Sequence, residues 1–540
     1  MTTPGKDAIK QILGQIPFTA ELYWLVRQRG GPIKSRFSLK HLHEAMPGLV
    51  TQAAQLRQQS GQAGGKKIFL FATLHFWIEH AAVMGLSLAA QGHQVTLGFL
   101  PYADWQKPVN LFDLRRQNIY ARKILELAAP VMDSQSLLAK PANNSVLPAA
   151  LAAAVEQVTV YDTQYTLQVE EFDPASDIYK LRCARNTEAA RSMLSWMQAG
   201  KPDLLIVPNG TIQELGVAYR VARYLNIPVV TYEFGDQRQR IWLAQNAEVM
   251  RQETDALWDA RHSLPVPAEE MERLHSLFAA RQRGALWENF ARPWQDTPAQ
   301  GGEQARAALG LDNRPLVLLA TNVLGDSLTL GRNIFSRSMA EWISRTVQYF
   351  AGRPDVQLVI RVHPGEVLTH GQSMAEVVRQ VLPRLPEHIR LIGPKEKVNT
   401  YDLVEVADLG LVYTTTVGME AAMNGMPVIV AGQTHYRGRG FTLDPDSWVA
   451  YFKVLGQVLE NPQSFRLSRP QVELAWQYAY RFFFEFPRPF PWHLVRMWED
   501  YKARSLADVL SPRGMELYGD TFRYLTGAPL DWANLRKDEE

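Results

Sequence analysis

Short apolar runs, each followed by a helix-length stretch, recur along this chain, and that alternation most limits what it can fold into. In the second half the runs are Pro315 to Thr321, Gln357-Leu358-Val359-Ile360, Ile389-Arg390-Leu391-Ile392, Leu409-Gly410-Leu411-Val412 and Val428-Ile429-Val430. Helical spacing between them predicts helices over roughly 335–350, 373–382 and 399–407. Strands without polar alternation are those of a parallel sheet covered by helices on both faces. The chain therefore reads as α/β, with a doubly wound domain over 313–460. In an open sheet of that kind, ligands sit in the loops at the carboxyl ends of strands. Two such loops stand out: Arg361-Val362-His363-Pro364-Gly365, and Tyr413-Thr414-Thr415-Thr416-Val417-Gly418-Met419-Glu420 with Gly425-Met426-Pro427-Val428 after it.

The first half repeats the pattern. Gly64-Gly65 breaks the chain and Lys67 to Ala72 reads as a strand. Ile78, Ala82, Gly85 and Ala89 mark a helix face, Gly92 stops that helix, and Gln94 to Phe99 is the next strand. The turn Thr73 to Trp77 lacks GxGxxG, which argues against a dinucleotide cofactor, and its His75 reads as solvated or as a helix cap. Residues 103–146 read as largely helical, as do a stretch from Pro148 and the span Arg182 to Met197. A second unit follows, with strands Asp203 to Val207 and Ile227 to Tyr232 around a helix stripe through Leu215, Ala218 and Ala222. It ends in the polar loop Glu233-Phe234-Gly235-Asp236-Gln237-Arg238. Residues 64–264 thus form a first doubly wound domain, and 265–312, with Gln300-Gly301-Gly302-Glu303, reads as a linker.

At 540 residues two or three domains are expected. A formal net charge of +2 gives no reason to expect nucleic acid. The single cysteine, Cys183, excludes a disulfide framework and a cysteine-based zinc site, which suits a reducing cytoplasm. No apolar run is long enough to span a bilayer, and Met1 to Lys10 lacks the apolar core of a signal peptide. The expectation is a cytoplasmic protein, at most peripheral at a membrane. Residues 1–63 read as a helical extension. Within it Leu39, Leu42 and Met46 form a stripe with basic residues between, either a basic face on an anionic membrane or, the preferred reading, a cap on the first domain. Residues 461–540 are aromatic around Phe482-Phe483-Phe484 and Pro487 to Trp492, and read as helices crossing back onto the first domain.

The two loops suggest phosphate chemistry. Hydroxyls of Thr414, Thr415 and Thr416 gather with backbone N–H groups where a strand hands over to a helix, a place suited to phosphate; the bland alternative is N-capping by one threonine. Gly418 lies in the same turn, and Glu420, a turn further on, is placed to accept from a ribose diol. His363, bent out by Pro364, can donate to a phosphate oxygen and stabilise a leaving group; Arg361 can assist, unless strand alternation turns it away. The loop Gly432 to Thr442 offers Tyr436, Arg437 and Arg439 to a donor sugar or diphosphate, or is a solvated basic loop. Glu233, at a strand's carboxyl end, is a general base or acceptor ligand, or else a partner of Arg238 or Arg240. Asp444-Pro445-Asp446 reads as a turn, so no metal site and no cofactor are expected.

These motifs resemble a known group. Two Rossmann-like domains facing a cleft, with a crossing C-terminal segment, resemble GT-B glycosyltransferases. The Arg-Val-His-Pro and Thr-Thr-Thr-Val-Gly-Met-Glu…Gly-Met-Pro-Val signatures resemble the capsule polysaccharide biosynthesis group, which includes Kdo transferases; the Tyr232 to Arg238 and Gly432 to Gly440 loops agree. The resemblance covers about residues 200–460. It implies that His363, Thr414, Thr415 and Thr416 bind the donor phosphate, as in relatives that use CMP-sugars. It implies an acidic base in the first domain, for which Glu233 is the match. Phe234 stands where sialyltransferase-like enzymes have a second acidic residue. The implied function is metal-independent transfer of a sugar from a nucleotide donor to a surface or capsular glycan, free or lipid-linked. A teichoic-acid-type polyol-phosphate transferase, a nucleotide-sugar epimerase and a non-catalytic scaffold of a polysaccharide assembly complex are the alternatives.

Overall fold

The structure, a computed structural model, describes residues 4–29, 37–60, 65–138, 146–287 and 297–535. Gly64 of the expected breaker lies outside the described residues. The first sheet holds the parallel strands β1 (Lys67–Thr73), β2 (Gln94–Leu100), β3 (Asp133–Ser136), β4 (Leu204–Pro208) and β5 (Val229–Glu233), with β6 (Arg240–Gln245) antiparallel to β5. The second is wholly parallel: β7 (Leu316–Ala320), β8 (Gln357–Arg361), β9 (Ile389–Ile392), β10 (Leu409–Val412) and β11 (Val428–Val430). A two-residue strand, β12 (Arg488–Pro489), returns to the first sheet beside β6.

The first sheet runs β12-β6-β5-β4-β1-β2-β3 and the second β11-β10-β7-β8-β9. Each therefore begins at a central strand, winds outward one way, then crosses over to wind the other way. The reversal opens a crevice at the carboxyl ends of β1 and β4 in one sheet, and of β7 and β10 in the other. The strands are mostly apolar and every residue of β4, β7, β8, β10 and β11 is buried, the polar Gln357 and Arg361 at the two ends of β8 included.

Two strands escape the sequence pattern. In the span read as largely helical, the helix Leu111–Leu125 gives way to β3, whose sequence Asp-Ser-Gln-Ser carries no apolar signal because it is an outer strand, exposed on alternate residues. β6 alternates buried and half-buried side chains, as a strand near a sheet edge does. The stretch read as a linker also corrects to ordered structure, containing the helices Ala268–Gln282 and Gly302–Ala308.

Leu39, Leu42 and Met46 are fully buried, and the helix Lys40–Ser60 packs on the helix His75–Ala90. The apolar stripe of residues 38–46 is thus a cap on the first domain, and the alternative of a membrane face there is set aside. Beyond the helix Arg469–Tyr480, Phe482, Phe483, Phe484 and Phe486 fill the second domain's core, whereas Phe490 and Trp492 join the first. The aromatic density of the C-terminal segment is the chain crossing between two cores.

Candidate functional site

Two adjoining cavities, about 150 Å³ and about 190 Å³, open at the crevice of the second sheet. His363, Thr415, Thr416 and Arg281 line both. Each of the first three follows a strand end that the sheet order forces together: His363 comes off β8 and the threonines come off β10, with β7 between them.

His363 is positioned from both sides. Its own N–H donates to the Thr321 hydroxyl at the end of β7 at 3.0 Å, and its Nδ1 accepts the Gly365 N–H at 3.0 Å. With Nδ1 accepting, the proton of the neutral ring is on Nε2. Pro364, at the start of the short helix Pro364–Leu368, fixes that bend. Arg361 lines the smaller cavity, 5% exposed, its guanidinium donating to the carbonyl oxygens of Gly393 at 2.7 Å and Glu396 at 3.5 Å. Burial pushes this arginine down to about 10.

The threonine turn is held by backbone contacts and by one capping hydroxyl, Thr415 Oγ1, which accepts the Val417 N–H at 3.4 Å. The Thr414 N–H donates to Asn322 at 3.2 Å, and the Thr415 carbonyl accepts from the Tyr436 hydroxyl at 2.6 Å. Thr416 precedes the helix Val417–Met423 without a side-chain capping bond, and Thr414 Oγ1 is buried with no partner among the described residues. One-threonine capping therefore does not explain three threonines. Gly418 is required by packing, since a Cβ there would run into the Tyr436 hydroxyl and approach Val412 to 2.8 Å.

Glu420 lines the smaller cavity, but both its oxygens are engaged: Oε1 accepts from Arg281 at 2.7 Å and Oε2 from the Tyr401 hydroxyl at 2.8 Å. The larger cavity adds Asn322, Asp326, Arg332, Arg251 and Asp236. Burial first, then the nearby Arg251, pushes Arg332 down to about 10, and burial raises Asp326 above the usual carboxylate range. His435, stacked on Phe482 at 3.7 Å, is held neutral by burial and by Arg332 and Arg439.

Tyr436, Arg437 and Arg439 were expected to reach a donor; the structure corrects this, because all three turn into the protein. Tyr436 is fully buried beneath the threonine turn. Arg437 donates to the carbonyls of Val430 at 2.6 Å and Pro445 at 2.5 Å. Arg439 pairs with Asp255 and lies over the rings of Trp258 and Tyr478. Aromatic groups distant in sequence cover what a glycine-rich loop alone suggests is exposed.

Glu233 ends β5 and lines neither cavity. It accepts from Asn209 Nδ2 at 3.1 Å and from the Phe234 N–H at 3.0 Å; among the described residues no cation pairs with it. Burial pushes its carboxyl up to about 7 against those two donors. Its charge and that of Asp326 both act on Tyr165, whose phenol is raised to about 12, mainly by burial. Among the described residues no cluster of His, Cys, Asp or Glu could hold a metal ion. Arg281 and Arg332 escaped the sequence reading; the first sits in the stretch read as linker and the second in a loop with no motif. An arginine on the helical stripe of Ala268–Gln282 was the one available signal.

Two Rossmann-like sheets facing a cleft, with the C-terminal segment returning to the first, make this a GT-B protein. Residues 285–454, which hold His363 and the threonine turn, match the family model described as "Capsule polysaccharide biosynthesis protein". That match lies within the second half of the chain. No curated protein sequence matches the chain. Among solved structures, the Thermosulfurimonas dismutans KpsC beta Kdo 2,4 transferase is similar at 17% identity and TM-score 0.34, over 51% of this chain and 79% of that one. The UDP-GlcNAc 2-epimerase from Neisseria meningitidis bound to UDP-GlcNAc matches at 16% and 0.25, over 77% and 99%. The wall teichoic acid polymerase TagF matches at 10% and 0.23, over 88% and 93%. These likenesses are too distant to bear on what this chain does.

Proposed function

We propose that the protein is a glycosyltransferase that moves a sugar from a nucleotide donor, CMP-linked donors included, to a surface or capsular glycan, free or lipid-linked. The main support is that His363, Thr415, Thr416 and Arg281 line one cavity where the second sheet's strand order reverses. In this reading the donor phosphate lies there. His363 donates from Nε2 to a phosphate oxygen, the threonine hydroxyls add donors, and Arg361 with Arg281 supplies positive charge as the leaving group departs. No metal is needed in that scheme, because the guanidinium groups do the neutralising. Glu420 braces Arg281 and Tyr401 from beneath the nucleotide. Glu233, with its carboxyl near neutrality, takes the acceptor hydroxyl's proton once the domains close and exclude water. The acceptor approaches from the first domain, and the enzyme works at a membrane face where lipid-linked glycans are presented.

A thermal-shift screen with CMP, UDP and GDP tests this on the wild type and on His363→Ala. One nucleotide should raise the wild-type melting temperature, and the shift should shrink in the variant. No shift with any nucleotide, or full transfer activity in His363→Ala, would overturn the reading.

A further inference from the structure

The first two helices, Pro4–Gln15 and Thr19–Val26, are arranged inside out for a body in water. An amphipathic helix at a protein surface normally turns its apolar stripe inward and its charges outward. Here polar groups do the docking. Lys10 pairs with Asp113 at 2.8 Å, Arg115 binds Glu21 and the carbonyls of Gly14 and Ile16, and Gln11 accepts the Leu111 N–H at 3.1 Å. Only Ala20 and Trp24 of the second helix are buried. The apolar residues point out: Ile12 is 61% exposed, Phe18 72%, Leu25 63% and Val26 68%, with Ile9 and Leu22 beside them. Of twenty large apolar residues exposed among the described residues, nine fall between Ile9 and Val26, so this is one face and not scattered surface.

Charge decides what covers that face. Residues 1–36 carry Lys6, Lys10, Arg27, Arg29, Lys34 and Arg36 against Asp7 and Glu21. Arg27 and Arg29 are exposed directly after the second helix, beside Leu25 and Val26. Apolar side chains with basic residues at the margin match an anionic bilayer, where the former enter the acyl boundary and the latter meet phosphate headgroups. Neither helix is long enough to span a bilayer, and among the described residues no helix is both long and apolar enough to do so.

We propose that the hairpin of residues 4–29 is an interfacial anchor that docks the protein on an anionic lipid surface, its apolar face in the membrane and its polar face on the helix Leu111–Leu125. The inference stands on the hairpin's own geometry and does not require the transferase reading.

Vesicle flotation tests it with the full chain, on phosphatidylcholine vesicles with and without about a third phosphatidylglycerol. The wild type should float with the anionic vesicles, and less so with neutral vesicles or in high salt. Leu22→Glu/Leu25→Glu should lower the floated fraction at least tenfold. Unchanged circular dichroism and melting temperature would show that the variant is folded. A second variant, Arg27→Glu/Arg29→Glu, should weaken binding to anionic vesicles only. The proposal is overturned if the wild type floats with neither vesicle, or if the folded Leu22→Glu/Leu25→Glu variant floats like wild type. It is equally overturned if light scattering shows a wild-type dimer that this variant turns to monomer without any vesicle binding, because the face is then an interface between two copies. Loss of flotation with intact transfer to a soluble acceptor would leave the transferase reading standing, and the reverse would leave the anchor standing.

Discussion

Replacing Glu233 with glutamine separates the residue's chemical use from its structural cost. Its carboxyl sits at about 7 in the fold against an ordinary value of 4.5, because burial disfavours the charge. A carboxyl raised on folding favours the fold below its unfolded value, and that advantage is lost as pH climbs through the folded value. At ~1.4 kcal/mol per pH unit, wild type should lose about 3 kcal/mol from this group between pH 4.5 and 7. Glutamine never ionises and escapes that loss. It also has one acceptor oxygen where Glu233 uses two, for Asn209 and for the Phe234 N–H. One donor is left without its partner, at about 1 kcal/mol. Glu233→Gln should therefore be about 1 kcal/mol less stable than wild type at pH 4.5 and about 2 kcal/mol more stable at pH 8, with the curves crossing between. Urea melts across that range, read on the transition of the first domain, measure it. If Glu233 is the base, the same variant should lose at least about a hundredfold in transfer rate, and the wild-type acidic limb near pH 7 should vanish. A stability difference flat with pH would refute the reasoning about burial. Undiminished transfer would refute the role.

His363→Ala should abolish transfer with the urea midpoint nearly unchanged, since the ring is only half-buried and the Gly365 N–H that its Nδ1 accepts is two residues away; a collapsed fold would show the histidine to be structural instead. Arg281→Met strands the Glu420 carboxylate in a buried site, so the second domain should lose about 3 kcal/mol and nucleotide affinity should fall with it, both measurable by melts with and without ligand. Tyr436→Phe removes the 2.6 Å bond to the Thr415 carbonyl, which should cost about 1 kcal/mol and weaken nucleotide binding several-fold by calorimetry, although Tyr436 itself lines neither cavity. Transfer assayed in EDTA should proceed at the untreated rate, and loss restored by Mg²⁺ would displace the arginines from their assigned part.

What could be read from the sequence follows from which side chains face what. β7, β8, β10 and β11 were evident because strands buried on both faces read as near-continuous apolar runs, β8 through its central Leu358-Val359-Ile360. β3 and β6 were not, because an outer strand keeps polar residues and its pairing is set by neighbours far along the chain. His363 and the threonines were findable because each immediately follows such a strand. Arg361 remained ambiguous for the same reason: strand alternation puts a residue on one face or the other, and only the neighbouring Gly393 and Glu396 carbonyls decide which. Glycines around Arg437 and Arg439 suggested an open loop, but Trp258 and Tyr478, remote in sequence, roof it over. Glu233 was singled out as a carboxylate at a strand end; that its partners would be Asn209 and a backbone amide, and not Arg238 or Arg240, depended on tertiary contacts.

The cleft is braced by pieces that no local motif contains. Arg332 donates to the Met250 carbonyl, Thr254 donates to the His435 carbonyl at 3.2 Å, and both oxygens of Glu170 cap the helix Met339–Ala351 through the N–H groups of Met339 and Ala340 at 2.7 Å. A carboxylate at that helix start complements its dipole. Burial first, and then the nearby Arg251, disfavours the charge of Arg332, while Glu248, which pairs with Arg251 at 3.1 Å, offsets part of that. Cations kept together at such a cost become favourable neighbours once an anion enters between them.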